Sequence, residues 1–260
     1  MSATLLKVTS LGKSFGGLAA LRDVSFTIAR GEVVAMIGPN GAGKTTCFNL
    51  IHGELAADRG EVCFDGQPLL GLATHAIAHR GVGRTFQVPA TFASMTVQES
   101  VALALAAHDG RDASLASGML DTRSARADVL LANLRLEDLA AAHCAALAYG
   151  DAKRLELALA LAAAPRLLLM DEPTAGMTAR SRRDLMQFVA DIARRDAVAV
   201  LFTEHDMDIV FGFAERILVL DRGGIIAAGT PEDIRANPDV QAAYLGLDEP
   251  ASLGINPVAR

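Results

Sequence analysis

VVAMIGPNGAGKTT, residues Val33–Thr46, holds the two signals that decide the fold. Val33–Ile37 is a run of apolar, largely β-branched residues without polar alternation, the pattern of a parallel strand buried on both faces. Gly38-Pro39-Asn40-Gly41-Ala42-Gly43-Lys44-Thr45 then fits G-x-x-x-x-G-K-[ST], and a helix is expected from Gly43 to about His52. In that order, glycines let successive backbone N–H groups turn inward around phosphate oxygens. The helix behind them presents its positive end to the same anion. Lys44 supplies a charge for the β- and γ-phosphates, and Thr45 a hydroxyl for Mg²⁺. The stretch Gly38–Thr46 therefore predicts an ATP site.

On either side, Leu5–Thr9, Val24–Ala29, Glu61–Asp65 and Val82–Gln87 read as short strands. From about Thr96 to Ala163 the chain is Ala/Leu-rich and helical in pattern. Strand-like runs return at Leu167–Met170, Ala197–Thr203 and Arg216–Leu220, with a helix over Ala179–Arg195 between them. Strands separated by helices on both sides of an all-helical block predict an α/β P-loop NTPase core. An antiparallel β subdomain precedes it, and a helical subdomain is inserted over about 92–163. The ATPase domain is expected to span 1–246. The tail, 247–260, has no periodicity and reads as poorly ordered.

Composition agrees with a packed domain. Hydrophobic residues make up 51% of the 260, but aromatics only 5% and Trp none, so the core must rest on Leu, Val, Ile and Ala. A net charge of -6 argues against a sequence-independent grip on nucleic acid. Cys47, Cys63 and Cys144 are odd in number and far apart, with neither disulfide nor zinc spacing. No stretch reads as a signal peptide or a membrane span.

A phosphate loop needs an acid at the end of a second buried strand. Leu167-Leu-Leu-Met170 followed by Asp171 and Glu172 provides it. Asp171 can hold Mg²⁺ or its water, and Glu172 can polarise an attacking water, so the pair implies hydrolysis as well as binding.

With these motifs in place the chain resembles the ATP-binding subunits of ABC transporters over nearly its whole length. Gln87, in Arg84-Thr-Phe-Gln87, matches the glutamine that senses the γ-phosphate and joins Thr45 and Asp171 around the metal. Leu147-Ala148-Tyr149-Gly150-Asp151 occupies the place of the signature. His205 matches the switch histidine, Ala175-Gly-Met-Thr178 the D-loop, and Phe15 the aromatic that stacks on adenine. Read alone, Phe15 has a core side chain as its alternative reading, with stacking favoured, and a lone histidine or glutamine is usually structural. The signature Lys153-Arg154-Leu155-Glu156 extension and the C-terminal Gly229-Thr-Pro-Glu-Asp-Ile are similar to ATPases of importers for branched-chain amino acids. Urea, aromatic-acid and lipopolysaccharide systems share much of the pattern.

The departures carry expectations of their own. Ala148 replaces the signature serine, Asp151 the glutamine and Thr178 the D-loop aspartate. Asp151 is expected to cap its helix and point away from nucleotide. One P-loop and one signature imply a half-site, so the resemblance implies a second ATPase subunit, identical or not. It also implies membrane permease subunits, indirectly a solute-binding protein, no nucleic-acid partner, and a place on the cytoplasmic face of the inner membrane. Val88–Phe92 reads as a docking surface or as a mere connector. His75 and His79, four apart, and the cluster Arg180, Arg182 and Arg183 read as solvated helix faces.

Overall fold

The computed structural model describes the backbone of residues 3–85, 92–108 and 117–241, and the side chains of the same residues apart from 117–124. Gln87, Val88–Thr91 and the tail 247–260 lie outside the described residues.

The first three strands are β1 (Thr4–Phe15), β2 (Leu18–Ala29) and β3 (Val33–Ile37). After α1 (Lys44–Ile51) come β4 (Arg59–Phe64) and β5 (Gln67–Pro68). β1, β2, β4 and β5 form an antiparallel sheet in the order β2-β1-β4-β5. β1 and β2 are twice the length that alternation predicts. Register shifts between Val8 and Leu11, with Ser10 at φ 48 and Asp23 at φ 57, break the period of two that a sequence reading follows.

The second sheet starts with β6 (Val82–Thr85), after the short α2 (Thr74–His79). Three helices follow: α3 (Val97–His108), α4 (Ser117–Asn133) and α5 (Tyr149–Ala162). Thr96 and Glu99 close the start of α3 reciprocally. The Thr96 N–H donates to Glu99 Oε2 at 2.8 Å, and the Glu99 N–H donates to Thr96 Oγ1 at 3.2 Å.

The rest of the chain alternates as β7 (Leu167–Asp171), α6 (Ala179–Asp196), β8 (Ala199–Thr203), α7 (Met207–Phe213), β9 (Arg216–Asp221), β10 (Gly224–Gly229) and α8 (Pro231–Ala236). Strand order is β10-β9-β3-β8-β7-β6, parallel throughout except for the antiparallel edge strand β10. β10 carries only the short run Ile225–Ala228 between Gly224 and Gly229 and is absent from the expected strands.

Every residue of β3, β7 and β8 is buried. Alternate residues face opposite cores, as the strand period dictates. Val33, Ala35, Ile37, Leu168, Met170, Val200 and Phe202 join the core shared with α5 and α6. Val34, Met36, Leu167, Leu169, Ala199 and Leu201 join the core shared with the antiparallel sheet and α1. Each such Val, Leu, Ile, Met or Phe side chain contributes about 1.5–3 kcal/mol by leaving water. α6 lays Leu185, Met186, Val189, Ile192 and Ala193 on one stripe against the sheet. The consequence for the site is positional. The carboxyl ends of β3, β7 and β8 all point the same way, so their following loops meet along one edge.

Candidate functional site

The loop after β3 is shaped by what surrounds it. A Cβ on Gly38 would lie 2.2 Å from the carbonyl oxygen of Leu220, and one on Gly43, at φ 108, would lie 2.6 Å from that of Ala20. Only glycine fits at either place. The loop is braced by Ala42, whose N–H donates to Pro39 O at 3.1 Å and whose carbonyl accepts from Gly223 at 3.0 Å. Gly43 caps α1 without a side chain, so the first N–H groups of that helix have no capping acceptor. They open on a cavity of about 180 Å³ lined by Ala20, Asn40, Gly41, Ala42, Gly43, Lys44, Thr45, Thr46 and Glu172.

Lys44 is buried, with its Nζ donating to Gly38 O at 2.6 Å and Pro39 O at 3.2 Å. Burial lowers its pKa, while the charges of Glu172 and Asp171 pull it the other way. A buried ammonium hydrogen-bonded to neutral carbonyls at the mouth of a helix N-terminus fits an incoming polyphosphate. Thr45, exposed beside it, offers its hydroxyl to the same space.

Across from this loop, the ends of β7 and β8 are bonded residue to residue. Asp171 and Thr203 are partners in the parallel register. Thr203 Oγ1 donates to Asp171 Oδ1 at 2.7 Å and accepts from the Glu172 N–H at 3.0 Å. Arg84 of β6, itself buried, places Nη2 3.9 Å from Asp171 Oδ2 and donates to Asn49 Oδ1 of α1 at 2.7 Å. Glu172 sits at φ 49, in the left-handed region, held there by its N–H bonds to Thr203. Such a conformation costs about 1–3 kcal/mol and turns the chain sharply out of β7. Its carboxylate reaches His205, Oε1 to Nε2 at 3.0 Å.

The fold thus brings Gly38–Thr46, Asp171, Glu172 and His205 to one edge of the parallel sheet. It leaves others apart. Phe15 ends β1 half exposed, with Lys13 Nζ 5.5 Å from its ring centroid, and does not line the cavity. Ala148, Tyr149, Gly150 and Asp151 form the start of α5, and none of them lines the cavity either. Tyr149 packs instead on Gly176, where a Cβ would lie 2.9 Å from its Cε1.

Two expectations change. Ala148 occupies the N-cap position of α5 without a side-chain acceptor, so Asp151 is the third helical residue. Its carboxylate pairs with Arg154 at 3.5 Å, placing a negative charge in the first turn without capping it. In the arginine cluster, Arg180 and Arg183 are exposed, but Arg182 is half-buried and bonded to Asp206. Thr178 gains a local reason: its hydroxyl caps α6, accepting from the Ser181 N–H.

Sequence reading missed Thr203, Glu204, Thr174 and Arg84. Glu204 is buried and accepts from both the N–H and the hydroxyl of Thr174, at 2.8 and 2.6 Å. The signal for Thr203 is its place at the end of a buried strand, and register pairs it directly with Asp171. Glu204 carries no such signal.

Comparison with known proteins agrees with this geometry. The family model for ABC transporters matches residues 21–175, and a model described as branched-chain amino acid ATP-binding cassette transporter matches 225–249. The BraF protein of Pseudomonas aeruginosa, a high-affinity branched-chain amino acid transport ATP-binding protein, is 40% identical over 255 residues, covering 95% of this chain and 99% of that one. A nucleotide-free ATP-binding cassette from an ABC transporter superposes with a TM-score of 0.81 at 29% identity, covering 93% of this chain and 99% of the other. A dimeric, post-hydrolysis ATP-binding cassette, MJ0796 bound to ADP and Pi, gives 0.77 at 27% identity, covering 87% and 99%. With more than half its length matched by the family model and a relative of 40% identity spanning it almost end to end, the chain belongs to the ABC transporter family, as an ATP-binding cassette.

Proposed function

We propose that this chain hydrolyses ATP to drive an importer of branched-chain amino acids. The observation that carries the reading is the Glu172–His205 pair, 3.0 Å apart, with Glu172 itself lining the phosphate-loop cavity. The loop N–H groups and Lys44 hold the triphosphate. Glu172 accepts a proton from water as its oxygen bonds to the γ-phosphorus. The bond from that phosphorus to the β–γ bridging oxygen breaks, leaving ADP and inorganic phosphate. His205 orients the Glu172 carboxylate before nucleotide arrives and registers the γ-phosphate afterwards, together with Gln87. Thr45, Gln87 and Asp171 are the residues that would hold Mg²⁺, which neutralises charge on the phosphates when bound. Thr203 keeps Asp171 oriented for that task.

The site is half of a site. What supports this is that none of Ala148–Asp151 lines the cavity, although they form a helix start without a side-chain cap. A second subunit would bring its own such segment over the nucleotide, and Phe15 would meet adenine at the cavity's edge. No helix among the described residues is long and apolar enough to cross a membrane, which suits a subunit docked at the cytoplasmic face of one. The cargo follows from the model matched at 225–249 and from the relative's own role.

Isolation from native membranes tests the reading. Co-purifying permease subunits, with ATPase activity stimulated by leucine, isoleucine or valine and a solute-binding protein, support it. Association with DNA or ribosomes, or activity indifferent to those amino acids, refutes it.

A further inference from the structure

His205 is held through both of its chain neighbours. Its own N–H donates to Glu204 Oε2 at 3.3 Å, while Glu204 Oε1 takes the two bonds from Thr174. On the other side Asp206 divides its carboxylate. Oδ1 caps α7, accepting from the Asp208 and Ile209 N–H groups at 3.0 and 3.4 Å, and Oδ2 accepts from Arg182 Nη1 at 2.5 Å. Thr174 and Arg182 both belong to the stretch that leaves β7 through Glu172. The loop carrying the histidine and the loop carrying the carboxylate are therefore tied together on both sides of the Glu172–His205 contact.

Arg182 is not where helix energetics alone would put a cation. It lies in the first turn of α6, which holds no acidic residue, and a positive charge there opposes the helix macrodipole. Its compensation is the Asp206 carboxylate, 24 residues on in the next strand–helix loop. Both side chains keep about a quarter to a third of their exposure, at 31% and 25%, so the pair adds little to overall stability. What it does is tie the first turn of α6 to the residue that follows His205.

We infer that Arg182 is a positioning residue for ATP hydrolysis, acting through Asp206 to keep the His205 imidazole against Glu172. The inference rests on Glu172 and His205 acting as proposed above. Because a group displaced by about 1 Å can cost a large rate factor, a contact of small stability can carry a sizeable effect on turnover.

The 260-residue chain with ¹³C-labelled histidine rings gives a readout that a purely structural role would not move. The His205 Cε1–H resonance, assigned by its disappearance in His205→Gln, is first located with the Glu172 bond present and then in Glu172→Ala. Arg182→Ala is expected to move it toward the Glu172→Ala position and to lower kcat about tenfold, with KM for ATP changed less than about twofold. Arg182→Lys, which keeps a cation for this single contact, recovers both. Asp206→Asn, which keeps the α7 cap and removes the charge, reproduces Arg182→Ala and serves if that variant does not fold. An unmoved His205 resonance in Arg182→Ala and Asp206→Asn overturns the role of Arg182, whatever happens to kcat. Failure of the underlying reading shows separately, as a Glu172→Gln protein that turns over like the wild type, and takes the inference with it.

Discussion

Glu172 and His205, 33 residues apart in the chain, meet at 3.0 Å because β7 and β8 are adjacent parallel strands that end at the same level. Parallel register puts Asp171 opposite Thr203, so Glu172, one residue beyond, and His205, two residues beyond, leave neighbouring strand ends. The contact gives the Glu172 carboxylate a fixed partner at the rim of the phosphate-loop cavity.

Replacing Glu172 by Gln keeps the shape and removes the base. Steady-state ATPase activity should fall about 10²–10⁴-fold, while nucleotide binding, followed by fluorescence of a labelled ATP analogue, stays within a few-fold of wild type. Substantial turnover in this variant removes Glu172 from the mechanism.

Lys44→Ala should fail earlier, at binding. The ammonium is buried and, among the described residues, donates to carbonyls of its own loop, which phosphate oxygens can replace. Losing charge-assisted bonds of roughly 1.5–3 kcal/mol predicts a dissociation constant for ATP raised about 10- to 100-fold. Melting temperature should change little, which thermal denaturation checks.

Gly38→Ala tests the loop's packing rather than its chemistry. The new Cβ would meet the Leu220 carbonyl at 2.2 Å, and backbone cannot swing aside as a flexible side chain can. A loss of about 3 kcal/mol in urea unfolding is expected, together with loss of nucleotide binding. A variant as stable as wild type would mean that β9 and the loop are not in contact.

Cys47 gives a pH signature. Burial pushes its thiol from 9.0 up to about 12, because the thiolate would sit without water between β-sheet and α1. A folded-state pKa above the unfolded one means stability that is complete below about pH 9 and declines as pH rises toward about 12. The melting temperature should therefore drop more steeply over that window in the wild type than in Cys47→Ala. At pH 8 iodoacetamide should modify partly exposed Cys63 and spare Cys47 until the protein unfolds.

Much of this was legible in the chain. Val33–Thr46 and Leu167–Glu172 carry strand, loop and ligand chemistry within a few residues, and local spacing is enough to read them. The five-strand parallel core and the helices α3 to α5 announced themselves by apolar runs and helical period. What escaped was irregular: the bulged lengths of β1 and β2, and the edge strand β10, whose four apolar residues lie between two glycines in a run too short to stand out. Asp151, expected as the cap, lies three residues beyond the N-cap Ala148, because helix starts depend on where the backbone leaves the extended region, not only on which residue could cap.

The sequence by itself determined a phosphate loop, its paired acids and the family they belong to, since those motifs are short and their physics is local. Only the tertiary structure decided how they meet. Strand order set Asp171 against Thr203 and Glu172 against His205, and it recruited Thr174, Glu204 and Arg182 as supports. It also left Ala148–Asp151 outside the lining of the cavity. These are contacts between loops brought together by sheet register, and no spacing along the chain encodes which strand will lie beside which.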